Sequence, residues 1–454
     1  FTRCLLYLQE LTTDEMVWSW ESGDLGTAEL QRNSWTAANP ILLGMYSRTM
    51  GSVAFANDFL RQSSPEKLAA RNITNATDLA AIADYRNEAR VLRAYAYYNM
   101  MDLFGKAAMF TENDPINFKG PEYSRKQLFD FIENELKTVI PNLKAARANE
   151  YGRVDQGVAK MILAKIYLNA TIYTGTQRND DCIKMCDEII AAGYKLKTNY
   201  LDNFKADNNT SEEMIFAIQA DGVYTQNWGA TTVLNNAQVG SFENNAADFG
   251  TKGWPGGIRI RKEFALKFDG SMFTKDTRNT VGKGTASKVR NIDILDLSIM
   301  GEGYIMSKFS NKTSKGANGS HNEYADTDFP LFRLADVYLM YAEATLRGGN
   351  GTTAKALEYV NALRIRANNS TAANIVANDL TLDFILDERA RELHWEAHRR
   401  QDLIRFGKFT GGSYNWAWKG NAAGGVSIPA YKSVFPIPSG SLGSNTNLTQ
   451  NTGY

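Results

Sequence analysis

Apolar side chains recur at helical spacing in the first quarter of the chain. Ala89, Leu92, Ala96 and Leu103 follow one another at steps of three, four and seven residues, and the run stops at Gly105. Residues at these steps lie on one face of an α-helix. A glycine directly after such a run is typical of a helix C-terminus, because glycine adopts the left-handed conformation of the cap without strain. The pattern therefore predicts an amphipathic helix that ends at Gly105.

Two more runs of the same kind follow along the chain. They comprise Val158, Ile162 and Ile166 before Gly175, and Leu331, Leu334, Tyr338 and Ala342 before Gly348. All three runs place alanine near tyrosine, and a second helical stretch follows each of them, at about 124–147, 179–192 and 352–367. Small and large side chains at fixed positions let antiparallel helices nest closely, as in tetratricopeptide repeats. A last stripe of leucine and alanine predicts one long helix over about 381–406.

Between the helical stretches lies a segment of different character. Residues 206–328 are rich in Gly, Asn, Thr and Ser and contain only short strand-like pieces. Loops of this length in a compact protein are usually functional. We therefore predict a mainly α fold of tetratricopeptide-like helix pairs over 40–205 and 329–410, with a loop-rich insertion at 206–328. The segments 1–39 and 411–454 share the loop-rich composition, and we expect them to pack with the insertion.

The composition narrows the classes of ligand. Lys plus Arg and Asp plus Glu number 50 each among 454 residues, so the formal net charge is zero. A general nucleic-acid binder needs an excess of basic side chains against phosphate, so we exclude that class. The chain contains no run of about 18 apolar residues, so we predict no membrane-spanning helix in it. The chain opens at Phe1 instead of methionine, and we expect its natural N-terminus to lie further upstream.

Candidate catalytic and metal-binding motifs are weak. His394 and His398 share a predicted helix face, but the zinc-protease pattern places a glutamate directly after the first histidine, and here Glu396 comes two residues later. Cys182 and Cys186 lie four residues apart without further metal ligands near them in sequence. We interpret these histidines and cysteines as buried structural side chains. Because no nucleophile elbow, phosphate-binding loop or dinucleotide fingerprint occurs either, we predict no catalytic residue, no bound metal and no cofactor.

Charged residues of both signs alternate along the last predicted helix. They are, in order, Glu388, Arg389, Arg391, Glu392, Glu396, Arg399, Arg400, Asp402 and Arg405. Opposite charges at steps of three and four residues are neighbours on a helix surface. We interpret the cluster as an ion-pair network on a packed helix.

Most of the tryptophans lie in the loop-rich segments. Trp18 and Trp20 are two residues apart, so in an extended segment both rings face the same way. Trp228 stands in an Asn-Trp-Gly string and Trp254 in a Gly-Trp-Pro string. Such a ring either anchors its loop to the scaffold or is presented to a ligand. Sugars suit exposed rings, because their C–H faces are apolar while their hydroxyl groups need polar partners at the edge. Spacing alone leaves both interpretations open.

Several longer motifs occur in order along the chain. They are Asn87-Glu-Ala-Arg-Val-Leu-Arg-Ala-Tyr95 with Asp102-Leu-Phe-Gly105, Pro330-Leu-Phe-Arg-Leu-Ala-Asp-Val-Tyr-Leu339 with Ala342-Glu-Ala344, Glu388-Arg-Ala-Arg-Glu-Leu393, and Arg399-Arg-Gln-Asp-Leu-Ile-Arg-Phe-Gly407. Together they resemble the SusD/RagB family of outer-membrane nutrient-binding lipoproteins of Bacteroidetes. The resemblance covers nearly the whole chain, and it implies tetratricopeptide-like helix pairs that support an irregular loop region.

The match is closest to the starch-binding prototype of that family. The strings that are similar to the prototype are Thr13-Asp-Glu15, Trp18-Ser-Trp20, Asp221-Gly-Val223, Asn227-Trp-Gly229 and Asn447-Leu-Thr-Gln-Asn-Thr-Gly-Tyr454. In the prototype an arc of three aromatic rings cradles the curve of an α-glucan helix. The resemblance places these rings at Trp18, Trp228 and Trp254, and Trp20 lies beside the first of them.

The same resemblance implies a polar edge for this site. The prototype's hydrogen-bonding arginine corresponds to Arg3. Its hydrogen-bonding asparagine corresponds to Gly23, which has no side chain to offer. Ser22 or Asp24 is therefore a candidate to supply a polar side chain in its place.

These observations predict a non-catalytic protein that captures starch-like α-glucan oligosaccharides. The resemblance further implies a lipid anchor that holds the protein on the extracellular face of the outer membrane, and a SusC-like TonB-dependent transporter as its partner. Three alternatives stay open. The first keeps the family role but changes the ligand to another glycan or a peptide. The others are a glycosidase that uses two of the acidic residues and a scaffold that uses a concave helical face.

Overall fold

The computed structural model of residues 1–454 is mainly helical. Its α-helices are α1 (Thr2–Leu6), α2 (Thr27–Gln31), α3 (Pro40–Gln62), α4 (Pro65–Ala70), α5 (Ala76–Phe104), α6 (Arg125–Val139), α7 (Gln156–Leu168), α8 (Ala170–Thr174), α9 (Asn179–Ala191), α10 (Ala230–Ala237), α11 (Lys262–Ala265), α12 (Leu334–Leu346), α13 (Thr353–Asn368), α14 (Leu382–Leu393), α15 (Arg399–Arg405) and α16 (Ser439–Ser444). Its strands are β1 (Met16–Trp18), β2 (Lys106–Ala108), β3 (Glu122–Ser124), β4 (Met214–Ile218), β5 (Ile258–Ile260), β6 (Val281–Gly282), β7 (Ile305–Met306) and β8 (Phe329–Arg333). Long helices and few short strands confirm the predicted fold class.

The chain divides into two compact units. A loop-rich unit contains Phe1–Trp35, Asn39–Ile41 and Tyr194–Ser433, and a helical unit contains Thr36–Ala38, Leu42–Gly193 and Val434–Tyr454. This division groups the predicted helical region 329–410 with the loop-rich insertion 206–328. It also assigns the last residues of the chain to the helical unit.

Helix pairs build the helical unit. Helix α5 packs against α6, and α7 packs against α9, as the repeated sequence pattern predicts. Gly105 has φ 72° directly after α5, and Gly175 has φ 79° directly after α8. Both glycines therefore adopt the left-handed conformation expected of helix caps. At the start of α6, Ser124 and Gln127 form a reciprocal capping box.

The C-terminal segment completes the helical unit. The Phe435 amide donates to the carbonyl oxygen of Leu103 at 2.8 Å, and the Asn451 side-chain amide donates to that of Phe104 at 2.8 Å. Residues 434–454, which we expected to pack with the insertion, therefore contact the end of α5 in the helical unit. The physical reason is that the carbonyl groups at the end of α5 lack helical partners and accept hydrogen bonds from this segment.

In the loop-rich unit, α12 packs against α13 and α14. Strand β8 runs directly into α12 and pairs antiparallel with β4, while β1 pairs with β5 and β6 pairs with β7. Leu331, which we expected on a helix, lies in β8, and α12 begins at Leu334. The apolar run continues across the junction because both the strand and the helix are buried.

The predicted long helix over 381–406 is interrupted between α14 and α15. Trp395 and Ala397 have positive φ values of 61° and 64°, which no α-helix accommodates. The Trp395 amide donates to Glu15 Oε2 at 3.2 Å, and the His398 amide donates to Glu10 Oε1 at 2.9 Å. Hydrogen bonds to these distant carboxyl groups replace the helical hydrogen bonds of the segment.

The alternating charges around this interruption form a buried ion-pair network, which confirms the sequence interpretation. The partners, however, come largely from distant elements. Arg333, at the end of β8, binds Glu392 and Glu396 at 2.6 Å each and Glu213 at 2.8 Å. Arg399 binds Asp14 at 2.7 Å. The network thus ties several segments of the loop-rich unit to α14 and α15.

Burial and charge oppose each other at the centre of this network. Burial alone would raise the pKa of Glu392. The three guanidinium groups of Arg366, Arg333 and Arg278 outweigh burial and hold that pKa well below its usual range. Glu392 is therefore a carboxylate throughout the physiological range, and its charge balances the arginines around it.

The remaining candidate residues for metal or redox chemistry are buried. Cys4, Cys182 and Cys186 are buried, and so are His394 and His398. Burial, together with the nearby Lys308 ammonium, lowers the pKa of His394 well below its usual range. These positions confirm the structural interpretation of His394, His398, Cys182 and Cys186. No helix of the chain combines the length and the apolar character that crossing a membrane requires.

Candidate functional site

Four aromatic rings contact one another in succession in the loop-rich unit. Trp20 and Trp254 have ring centroids 6.4 Å apart, Trp254 and Trp228 5.5 Å, and Trp228 and Tyr324 5.1 Å. We call these four the aromatic run. Successive ring planes are tilted by 63°, 39° and 57°, so the run is not a flat surface. All four rings are partly exposed, and the side chain of Trp228 is 45% exposed.

Trp18, by contrast, does not present a ring face. It is 2% exposed, and its ring contacts Trp20 edge-to-face at 5.4 Å and Tyr7 at 5.6 Å. Its backbone amide and carbonyl are both bound by the side chain of Gln31, at 2.8 and 3.1 Å. The two tryptophans of this string do share one side, as expected, but Trp20 covers Trp18. The ring available to a ligand is therefore that of Trp20, supported by Trp18.

The glycine-rich string 253–257 forms a turn, and this turn places Trp20 and Trp254 next to each other. The Trp254 amide donates to the carbonyl oxygen of Asn236 at 2.7 Å, and the Ser19 amide donates to that of Gly257 at 3.0 Å. Gly257 lies against the Trp20 indole, where no side chain would fit. Two separate loops are thus fastened so that their rings touch.

Trp228 stands at the start of α10. Asn227 Oδ1 accepts from the Gly229 amide at 2.8 Å, which closes a tight turn around Trp228. The next amide, that of Ala230, donates to Thr2 Oγ1 at 3.1 Å. The N-terminal helix α1 therefore holds the loop that presents this ring.

A polar group lies at the Trp20 end of the run. Arg3 forms an ion pair with Asp24, and Tyr7 lies between them, because its hydroxyl donates to Asp24 Oδ2 at 2.7 Å and accepts from Arg3 Nε at 3.2 Å. The Asp24 amide donates to the Trp20 carbonyl oxygen at 3.1 Å, which joins this group to the aromatic run. The Arg3 and Asp24 side chains remain 33% and 19% exposed.

The electrostatics of this polar group favour a persistent ion pair. Burial lowers the pKa of Arg3, but Tyr7 and Asp24 outweigh burial, so the pKa is raised overall. Burial, with Asp24, raises the pKa of Tyr7 well above its usual range and keeps the phenol protonated. Of the two residues that could supply the polar side chain that Gly23 does not have, Asp24 belongs to the polar group. Ser22 is exposed and makes no hydrogen bond within the chain.

The structure thus brings together most of the site residues that were predicted from the sequence. It also adds two residues that were not predicted. The rings of Trp20, Trp254 and Trp228 contact one another in succession, and Arg3 and Asp24 form a polar group that is joined to Trp20 through its backbone. Tyr324 and Tyr7 join them only through tertiary contacts. The one signal in the sequence was their position in loop-rich segments. Partly exposed rings beside hydrogen-bonding groups suit a ligand that is apolar on its faces and polar at its rim.

Comparison with known proteins places this architecture in context. The SusD family model (SusD_RagB) matches residues 300–454. The chain is 33% identical over 502 aligned residues to the starch-binding protein SusD of Bacteroides thetaiotaomicron, covering 100% of this chain and 86% of SusD. It is 27% identical to a SusD-like protein of Bacteroides ovatus, over 85% of this chain and 70% of that protein.

Solved structures share the fold at lower sequence identity. Surface glycan-binding protein A from Bacteroides thetaiotaomicron, in complex with laminarihexaose, superposes with a TM-score of 0.75 at 22% identity, over 99% of this chain and 93% of that one. SusD and surface glycan-binding protein A are binding proteins by name, and members of the SusD family are binding proteins and not enzymes. Because its identity to SusD is one third along its whole length, the chain belongs to the SusD family of binding proteins.

Proposed function

We propose that this protein captures starch-like α-glucan oligosaccharides at the cell surface. The observation that supports this most directly is the aromatic run, in which Trp20, Trp254 and Trp228 are tilted from one another by 63° and 39°. A set of tilted faces matches a curved ligand better than a flat one. The 33% identity to a starch-binding protein favours an α-glucan, whose chain curves into a helix, as that ligand.

The binding mechanism follows from the two kinds of surface. The three indoles stack against the apolar C–H faces of successive sugars. Arg3 and Asp24, at the Trp20 end, exchange hydrogen bonds with sugar hydroxyl groups. The ion pair between them fixes both side chains before the ligand arrives, which lowers the entropic cost of binding. Catalysis plays no part in this mechanism.

An open surface of this kind should bind its ligand weakly. Desolvation of sugar hydroxyl groups offsets most of the gain from stacking. We expect micromolar to millimolar dissociation constants, or roughly −8 to −4 kcal/mol. Such an affinity suits a protein that captures its ligand and then releases it to a transporter.

The site assignment is tested by replacing Trp20, Trp228 and Trp254 together with alanine. Isothermal titration calorimetry with maltoheptaose should show no measurable binding to this triple variant. Phe55→Ala is the matched control, because Phe55 is another highly exposed aromatic residue, 81% exposed, and belongs to the helical unit. Retained maltoheptaose binding in the triple variant would refute the assignment.

The same calorimetric titration discriminates the ligand class. The wild-type protein is titrated with linear and cyclic α-glucans, and in parallel with laminarihexaose, fructan, mannan and peptide ligands. Preferential binding of the α-glucans supports the proposal. Preference for another glycan or for a peptide would leave the family role intact and replace the ligand.

The family role includes two further proposals, a lipid anchor in the outer membrane and a SusC-like TonB-dependent transporter as partner. Both are supported by membership of the SusD family. Affinity capture of the full-length protein from detergent-solubilised outer membranes tests the second. A transporter of that class should co-purify, and its absence from a stable, detergent-resistant preparation would argue against a lasting complex.

A further inference from the structure

The segment 320–326 forms a rigid turn at the Tyr324 end of the aromatic run. The Asp326 carboxylate accepts from the Ser320 amide at 2.6 Å, from the Ser320 hydroxyl at 2.7 Å and from the Gly222 amide at 2.7 Å. Asn311 supports both ends of the turn, since its Oδ1 accepts from the Asp326 amide at 2.8 Å and its Nδ2 donates to the His321 carbonyl oxygen at 2.7 Å. The two aromatic side chains of this turn are therefore held in place before any ligand binds.

The imidazole of His321 is oriented by its own backbone. Its Nδ1 accepts hydrogen bonds from the Glu323 amide at 3.0 Å and from the Tyr324 amide at 3.1 Å. A nitrogen that accepts two hydrogen bonds has no proton of its own, so in the neutral ring the proton is on Nε2. Nε2 makes no hydrogen bond within the chain, and the side chain is partly exposed. His321 thus offers one N–H donor to an outside partner.

Tyr324 offers a second polar group beside the first. Its ring lies 5.1 Å from the His321 ring and 5.1 Å from that of Trp228. Its hydroxyl makes no hydrogen bond within the chain, and the side chain is partly exposed. The hydroxyl can both donate and accept. The pair therefore combines a stacking face, one donor and one donor–acceptor group at the place where the run of indoles ends.

A sugar offers the groups that are complementary to this pair. Each pyranose ring has an apolar face, and its neighbouring hydroxyl groups act as donors and acceptors. The opposite end of the run, at Trp20, has its own polar group, Arg3 with Asp24. The two polar groups thus lie at the two ends of one aromatic surface.

We propose that Tyr324 and His321 form a further subsite that binds hydroxyl groups of an additional sugar, next to the one stacked on Trp228. This inference rests on the proposed function and adds to it a determinant of ligand length. A neutral oligosaccharide long enough to extend beyond the three indoles gains these contacts, whereas a short one does not.

Two variants each remove one of the polar groups. Tyr324→Phe keeps the ring against Trp228 and removes the hydroxyl. His321→Asn keeps an acceptor at the δ position for the Glu323 and Tyr324 amides and removes the Nε2 donor. Both proteins should melt at the wild-type temperature, because neither group has a partner within the chain.

The test is calorimetric titration of wild type and both variants with linear α-glucans from maltotriose to maltoheptaose. We expect each variant to lose about threefold to tenfold in affinity for maltoheptaose, as one net hydrogen bond contributes, and to bind maltotriose as wild type does. Unchanged maltoheptaose affinity in both variants would overturn the subsite and show that Tyr324 only supports Trp228. An equal loss for all lengths would also overturn it, since the contact would then belong to the central platform.

Failure of the proposed function is distinguishable from failure of this inference. If wild type binds no α-glucan of any length, the α-glucan proposal falls, and the subsite falls with it. If wild type binds and the variants match it, only the subsite is overturned. The Trp20, Trp228 and Trp254 triple variant provides the reference for loss of the whole platform.

Discussion

Gly257 lies directly against the indole of Trp20. A Cβ atom at residue 257 would stand 2.7 Å from Trp20 Cζ3, which is closer than real Cβ contacts come. The φ of Gly257 is not positive, so space, and not backbone strain, requires glycine here. The shape of the candidate binding surface therefore depends on a residue that has no side chain.

We expect Gly257→Ala to weaken glucan binding without unfolding the protein. The added methyl group would stand 2.7 Å from the Trp20 indole and 2.8 Å from Ala237 Cβ, so both must shift, and overpacking of this size costs about 1–3 kcal/mol. Maltoheptaose affinity should fall about tenfold by calorimetry. Gly424→Ala is the matched control, because a Cβ there meets no atom within 4 Å and its φ is not positive. Wild-type affinity in Gly257→Ala would show that Trp20 does not contact the ligand.

Trp18 and Trp20 should respond to substitution in opposite ways. Trp18 is 2% exposed, so Trp18→Ala should lower the free energy of unfolding by about 3–5 kcal/mol. Trp20 is partly exposed, so Trp20→Ala should change stability much less and lose most of the maltoheptaose affinity. Denaturant unfolding and calorimetric titration of the same two proteins measure both effects. A Trp18 variant that stays fully stable yet does not bind maltoheptaose would show that Trp18 belongs to the binding surface.

Removal of the Glu392 charge should destabilise the loop-rich unit strongly. Glu392→Gln removes one counter-charge that the buried guanidinium groups of Arg333, Arg366 and Arg278 share. Breaking one partner of a buried ion pair typically costs about 3–5 kcal/mol. Denaturant unfolding should show a loss of this size.

The matched control for that experiment is an exposed ion pair. Lys126 and Asp130 are 2.6 Å apart, but their side chains are 66% and 47% exposed. Asp130→Asn should therefore change the free energy of unfolding by about 0.5 kcal/mol or less. Equal effects of the two substitutions would mean that burial does not determine the strength of the network.

Stability should decrease as the pH rises from about 4.5 to about 7. Burial raises the pKa of Glu10 from 4.5 to about 7, and burial with Glu10 raises that of the neighbouring Glu15 well above its usual range. The folded chain thus keeps protons that the unfolded chain has already released, so this contribution to stability is complete below pH 4.5 and is lost towards pH 7. Denaturant unfolding across this range measures the loss.

Glu10→Gln should flatten this pH profile, because the amide keeps the acceptor for the His398 amide and does not titrate. The exposed Glu150, whose side chain is 80% exposed, provides the control, and Glu150→Gln should leave the profile unchanged. A Glu10→Gln profile that is as steep as wild type would place the titrating group elsewhere.

Local sequence patterns predicted what depends on local physics. The glycine caps at Gly105 and Gly175 and the helix pairs α5–α6 and α7–α9 follow from periodicity and backbone conformation, and the structure confirms them. The interruption between α14 and α15 could not be predicted in this way. Its backbone is fixed by Glu10 and Glu15, which are almost four hundred residues away in sequence.

At the candidate site, too, local sequence patterns did not predict the contacts between residues that are distant in sequence. Loop composition and resemblance pointed to the tryptophans, because aromatic residues among glycine and asparagine are unusual enough to stand out. The different roles of Trp18 and Trp20 depend on which ring covers the other, and spacing along the chain does not specify that order. Tyr324 and His321 joined the surface only because Asp326 and Asn311 fold their turn towards Trp228.

The C-terminal segment has a consequence for how the protein is made. A ribosome releases residues 42–193 long before it reaches Val434, yet the end of α5 binds Phe435 and Asn451. Most of the helical unit is therefore synthesised before residues 194–433 of the loop-rich unit, and its last segment only after them. Until Phe435 and Asn451 emerge, the carbonyl groups at the end of α5 lack these two hydrogen-bond donors. Truncation before Val434 would thus remove contacts from helices that were synthesised early, and would take no residue from the loop-rich unit.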